Sequence, residues 1–257
     1  MSEDIRVSLV PLLPMIQLQR IVNSMFSSNS YLIGKEGSMQ FWLVDVGDVQ
    51  PVVDLLPEGG EIIGLLLTHT HFDHLYGMND LHERFPRCVV YTSEYGAKAL
   101  FSAKLNLSRY HESPIEYMGK EVRVLKDGDT VQLFNDGLLK DNGSLTDDRS
   151  PQGHGSLVGD RLMKDVCLPN GDSPLVDDSI LTVYETPGHC PSCLTYSVGQ
   201  YLFTGDSYIP GMAIVTNLPK GDKLLAQSSL ERIMALAEGK SICAGHGDWA
   251  HFPNAGE

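Results

Sequence analysis

Apolar residues in this chain fall in short runs rather than in long helical stripes. The runs "QRIVNS", "NSYLIG", "FWLVDVG", "IIGLLLT", "CVVYTS", "EVRVLKDGDTVQLF", "ILTVYET", "CLTYSV", "YLFTGD" and "SICAGH" are apolar or alternating and bounded by turn residues, the pattern of strands. Helical stretches lie between them. One is expected from Val49 to Leu56, and another starts near Asp73 and continues through "HLYGMNDLHERF". A third is "SEYGAKALFSA", with Ser93 as N-cap and Glu94 in the first turn. The last is "GDKLLAQSSLERIMALAEG", opened by Asp222 and stopped by Gly239. This order predicts two β-rich halves, each with helices on one side, packed sheet against sheet.

One segment breaks the pattern. Residues 135–180 are rich in Gly, Ser, Asn, Pro and Asp, with nine Asp against four Lys or Arg. A structureless loop of that length is unusual inside a domain. The expectation is one domain over residues 1–257 carrying a Gly/Asp-rich surface insertion at about 135–180, with a lid over an active site as the sharper alternative.

The net charge of −14, without any Lys/Arg cluster, argues against nucleic acid and anionic membranes as partners. No apolar run approaches the roughly 18 residues of a membrane span, and the acidic start does not read as a signal peptide. Five cysteines at no disulfide-framework spacing point to a reducing cytoplasm.

The candidate chemistry sits in "LLLTHTHFDHLYG". His69 and His71 are two apart at a strand end, so their rings point to one face. Asp73 and His74 follow where the chain turns. Imidazole and carboxylate together suit zinc, iron or manganese. Further on, "TPGHC" places His189, "LFTGD" places Asp206 and "ICAGHGD" places His246, each beside a glycine after an apolar strand. Three repeats of that arrangement are hard to explain by core packing.

With these motifs in view, the chain resembles the metallo-β-lactamase-fold hydrolases. "HTHFDH" matches their H-x-H-x-D-H signature, and "TPGH", "LFTGD" and "AGHG" follow in the family's order. The resemblance implies an α/β fold, the αββα four-layer sandwich, with the site at one edge. It implies one metal on His69, His71 and His189, a second on Asp73, His74 and His246, and Asp206 bridging. Asp45, in "FWLVDVG", matches a family Asp that orients a ligand ring, with a strand-end cap as the other reading.

Two divalent ions, zinc first and iron or manganese as alternatives, would share a water and lower its pKa toward about 7. Two dications, two carboxylates and one hydroxide leave a charge of about +1, which suits an anionic small-molecule substrate. Asp73 and Asp206 are therefore the catalytic candidates, with Asp206 able to relay a proton to the leaving group. Tyr208, two residues further on, either reaches the substrate or packs. Asp206 and His246 resemble the glyoxalase II, ribonuclease Z and lactonase branches, whereas the lactamases usually carry Cys in the second site. Eleven residues follow His246, where glyoxalase II has a helical extension with basic residues for glutathione. The expectation is a glyoxalase II-like dinuclear hydrolase of a thioester or ester. A lactonase, a phosphodiesterase or a mononuclear iron persulfide dioxygenase are the alternatives, and an idle binding protein on the same fold is the non-enzyme reading. Residues 208–221 are expected at the mouth of the site.

Other residues stay outside this chemistry. Cys190 and Cys193, in "HCPSC", read as buried small apolar side chains, with oxidation beside a ligand as the regulatory alternative. His154, His82 and His111 read as surface, and Trp249 and His251 as neighbours of the site. Oligomeric state is not legible.

Overall fold

The structure is a computed structural model, and it describes residues 16–134 and 179–252. Apart from Ser179 and Ile180, the segment expected as an insertion lies outside them, as do His154 and Cys167. The described strands are β1 (Ile16–Val22), β2 (Asn29–Lys35), β3 (Gln40–Val44), β4 (Glu61–Leu66), β5 (Val89–Thr92), β6 (Val122–Val124), β7 (Thr130–Gln132), β8 (Ile180–Glu185), β9 (Leu194–Val198), β10 (Tyr201–Gly205), β11 (Ser241–Ala244) and β12 (Ala250–His251). The helices are α1 (Val49–Leu55), α2 (Met78–Arg84), α3 (Glu94–Ala99) and α4 (Lys223–Leu236). The strands form two sheets, ordered β1-β2-β3-β4-β5-β6 and β12-β11-β10-β9-β8-β7. β3 to β6 run parallel, as do β10 and β11, and the other pairings are antiparallel.

The two-residue period of a strand sorts the core into layers. Ile33, Trp42, Val44 and Leu66 of the first sheet meet Val183, Tyr196 and Phe203 of the second in the central cluster. Their neighbours Leu32, Leu43, Leu65 and Leu67 point the other way, onto Val52 of α1, Met78 and Leu81 of α2, and Leu100 beyond α3. On the far side Leu202, Ile242 and Ala244 meet Ile233 of α4. The result is the αββα sandwich, and runs such as "GLLL" are apolar throughout because both faces of their sheet are covered.

Three expectations are corrected. The helix expected from Asp73 is instead a 3-10 turn, Phe72–His74, followed by α2 four residues later. The turn ends at Leu75 and leaves His74 Nε2 3.4 Å from Asp73 Oδ2. "EVRVLKDGDTVQLF" is not one strand. It forms β6 in the first sheet and β7 in the second, with the turn at Lys126–Asp129 held by Lys126 N donating to Asp129 Oδ2 at 2.8 Å. His82 and His111 are half-buried rather than surface side chains: His82 meets the Tyr117 ring edge-on, and His111 stacks on Phe72.

Candidate metal centre

Five strand ends converge at one edge of the sandwich. β3 delivers Asp45, β4 delivers the segment from His69 to His74, the β8–β9 connection delivers His189, β10 delivers Asp206 and β11 delivers His246. All seven sequence-expected ligands come together. Ligand atoms of His69, His71 and His189 lie within 4.8 Å of one another, and so do those of Asp73, His74 and His246. Asp206 stands between the two groups, its carboxylate oxygens 3.5 Å from His74 Nε2 and 3.6 Å from the Nε2 atoms of His189 and His246.

The hydrogen bonds on the outer side of each ring define its tautomer. His74 Nδ1 donates to Asp45 Oδ2 at 3.0 Å, His189 Nδ1 to the Val215 carbonyl at 2.7 Å and His246 Nδ1 to the Phe26 carbonyl at 3.1 Å. His69 Nδ1 lies 3.1 Å from Thr68 Oγ1, whose proton goes to Asp45 Oδ2 at 2.7 Å, so this Nδ1 is also a donor. Each of these four rings therefore turns Nε2 inward, where those of His74 and His246 face the carboxylates of Asp73 and Asp206. His71 turns Nδ1 inward instead, 2.8 Å from His189 Nε2. Lone pairs this close repel one another unless a proton or a cation lies between them. His69 Nε2 and Asp206 Oδ1 are buried without a hydrogen-bond partner. Asp45 also groups with His69 and His74, but its oxygens accept from Thr68 N at 2.7 Å, Thr68 Oγ1 and His74 Nδ1. It orients ligands from behind them. The donor set fits divalent cations, held by inward-facing imidazole nitrogens and carboxylates.

The electrostatics point the same way. Burial, then the charge on His74, hold His69 well below its ordinary range. Burial and His189 bring His71 down to about 3. For His74, burial opposes the charged form, but Asp73, Asp206 and the bond to Asp45 outweigh it and hold the ring well above its ordinary range. Burial also opposes charge on His246, yet the carboxylates of Asp206 and Asp73 raise it to about 9. Both carboxyls resist burial in turn: His74 and His246 hold Asp73 and Asp206 well below the usual range. The cluster thus stabilises positive charge at its centre.

Several residues that position the site gave little sign in sequence. Thr68 is a hub: besides its bonds to Asp45 and His69, its carbonyl accepts from Leu194 N at 2.7 Å, joining the two sheets. Asn29 Nδ2 donates to the carbonyls of Ala244 at 3.0 Å and Gly247 at 2.9 Å, and Tyr31 donates to Ala244 O at 2.7 Å, so β2 holds the His246 turn. Ser28 Oγ donates to the Asp73 carbonyl at 2.7 Å. The available signal was a polar pair, Asn29 and Ser30, heading a strand buried at every position. Phe26 and Ser27 adopt left-handed φ values of 52° and 53°, and the Phe26 carbonyl holds His246. Beside them His111 stacks on Phe72 with centroids 3.9 Å apart.

Ile209, Met212, Ala213, Ile214 and Val215 line a small cavity together with His189 and Asp206, and Met212, Ala213 and Ile214 also line an adjoining cavity of about 270 Å³ against α4, bounded by Lys223, Ala226 and Leu230. Tyr208 lines that cavity, with its ring edge-on to Phe252.

A family model described as the metallo-beta-lactamase superfamily matches residues 24–246. The chain belongs to that superfamily. Within it, the chain is 25% identical to a hydroxyacylglutathione hydrolase of Citrobacter koseri over 206 residues, 79% of this chain and 56% of that protein. It is 25% identical to a hydroxyacylglutathione hydrolase of Klebsiella pneumoniae subsp. pneumoniae over 223 residues, 86% of this chain and 62% of that one. The chain thus spans about three-fifths of the length of these relatives. Among solved structures it resembles the BLEG-1 B3 metallo-beta-lactamase, with TM-score 0.68, 21% identity and coverage of 91% of this chain and 93% of that one. It also resembles TTHA1623 in a di-iron-bound form, with TM-score 0.62, 20% identity and coverage of 91% and 94%. These structural likenesses show the fold.

Proposed function

We propose that the protein is a dinuclear metal-dependent hydrolase of a small thioester or ester. His69, His71 and His189 would hold one divalent cation, and Asp73, His74 and His246 the other, with Asp206 between them. The observation that carries this reading is the set of ring nitrogens turned inward beside two carboxylates while Thr68, Asp45, Val215 O and Phe26 O engage the outer ones. When bound, two such ions lower the pKa of water toward neutrality and polarise a carbonyl oxygen. The chain's own residues supply the rest. Asp206 can take a proton at a carboxylate oxygen and pass it to a leaving thiol or alcohol. Ile209 and Met212 to Val215 wall the space beside His189 and Asp206, and the adjoining cavity gives room for a small substrate. The likeness to hydroxyacylglutathione hydrolases supports a thioester first and an ester next, with zinc as the first metal to test. The described cysteines, Cys88, Cys190, Cys193 and Cys243, are free thiols, which supports a reducing compartment such as the cytoplasm. No helix among the described residues is long and apolar enough to cross a membrane.

The test is metal content per chain, by elemental analysis, for the protein and for His246→Ala. About two zinc ions per chain, falling to about one in the variant, together with turnover of an S-acyl thiol, is the expected result. A single iron, unchanged by the substitution, would overturn the dinuclear reading in favour of oxygen-dependent sulfur chemistry. Two metals with hydrolysis confined to bis-(p-nitrophenyl) phosphate would overturn the thioester reading.

A further inference from the structure

Directly after His189 the chain runs Cys190–Pro191–Ser192–Cys193 before entering β9. Neither thiol belongs to the grouped His and Asp ligands. Both are buried, at 3% and 2% exposure, and their Sγ atoms lie 3.2 Å apart. A disulfide requires a separation of about 2.05 Å, so the sulfurs need to close by only about 1.2 Å. The pair is wired to the metal centre through Ser192. Cys190 Sγ lies 3.0 Å from Ser192 Oγ. The same oxygen accepts from Thr70 N at 3.0 Å and meets Thr70 Oγ1 at 3.0 Å. Thr70 stands between His69 and His71, and Cys190 adjoins His189, so three ligands of one proposed cation hang on this turn.

We propose that Cys190 and Cys193 form a redox-active modification site, closing to a disulfide when a small peroxide reaches them and thereby loosening the grip on the cation held by His69, His71 and His189. In the first step one sulfur attacks a peroxide oxygen, the O–O bond breaks, and water leaves with the thiol proton, giving a sulfenic acid. The second sulfur then attacks that sulfur, the S–O bond breaks and a second water leaves. Two thiols and one hydrogen peroxide become one disulfide and two waters. Closure draws Cys190 Sγ away from Ser192 Oγ and frees that hydroxyl from the orientation in which it holds Thr70. Burial is expected to select the oxidant, favouring small hydrogen peroxide over glutathione disulfide, which would have to bring its own sulfur into contact.

The inference rests on the proposed metal site for its consequence, but not for the thiol chemistry. The experiment uses the full zinc-loaded chain treated with hydrogen peroxide or with glutathione disulfide. Peroxide is expected to lower the thiol count from five to three. Cleavage after Glu185 should release a peptide, beginning at Thr186 and lacking Cys167, that is lighter by two hydrogens and restored by dithiothreitol. Zinc affinity, read by chelator competition, should fall by about tenfold in the oxidised protein, the scale of losing a group that orients a ligand. Cys193→Ser should show neither change; if that variant does not fold, the peptide map of the unaltered chain decides alone. A thiol count that stays at five, or loss mapped to Cys88, Cys167 or Cys243, overturns the site. Equal oxidation by glutathione disulfide overturns the selection by burial. A mapped disulfide with unchanged zinc affinity overturns the link to the metal, and a mapped disulfide in a chain that holds no zinc leaves the thiol site standing while the metal reading fails.

Discussion

At the scale of single residues, the site is organised from behind its ligands. Asp45 accepts from Thr68 N, Thr68 Oγ1 and His74 Nδ1, and it does so from a left-handed backbone with φ 54°. Asparagine tolerates that backbone, so Asp45→Asn isolates the carboxylate. One amide end cannot accept, and chelator competition should show metal affinity lower by about tenfold or more. The pH dependence also has a defined sign. Without metal, His246 titrates at about 9 against an unfolded value of about 6.5, so between these limits the folded state holds the extra proton. That stabilisation is complete below about 6.5 and is lost as pH rises through about 9. Bound metal reverses the trend, because the ring must then be deprotonated. Melting temperature followed from pH 6 to pH 9 should therefore fall with rising pH in chelator-treated protein and rise in metal-loaded protein. Parallel curves would show that metal does not displace the protons held by these rings.

At the scale of elements, the loops matter more than the strands they leave. The Asp222 side chain accepts from Leu224 N at 2.8 Å and Leu225 N at 3.0 Å, capping α4, while its backbone N–H donates to the Gly188 carbonyl at 2.7 Å. Asp222→Ala should cost about 1 kcal/mol by urea denaturation. Gly188 is a different case. Its φ is 140°, and a Cβ there would run into the backbone of Ala226. Gly188→Ala is expected to cost about 1–3 kcal/mol and, by displacing His189, to lower metal affinity as well, whereas Asp222→Ala should leave that affinity nearly unchanged. Equal effects of the two on metal binding would show that α4 docking, rather than the His189 turn, sets the geometry.

At the scale of the whole molecule, the site is a clasp between sheets. His69, His71, Asp73 and His74 come from the first sheet, and His189, Asp206 and His246 from the second. Metal bound across them favours the folded state by about 2.7 kcal/mol at a free concentration one hundred times the Kd, so chelation should lower the melting temperature clearly and zinc should restore it. A melting temperature indifferent to chelator would count against the clasp. The sequence by itself determined the layers and the residues that gather at the candidate site. Two-residue alternation sorts Leu32 from Ile33 and Leu202 from Phe203, and a His, Asp or Gly pattern after an apolar run marks a strand end, because both signals are local in the chain. It did not show that "EVRVLKDGDTVQLF" divides between sheets, nor that Thr68, Asn29, Ser28 and Ser192 hold the site. Those roles exist only across contacts such as Ser192 with Thr70, 122 residues apart, or Asn29 with Ala244, 215 residues apart. Hydroxyls and amides are ordinary at strand ends, and only tertiary structure decides which donor each will face.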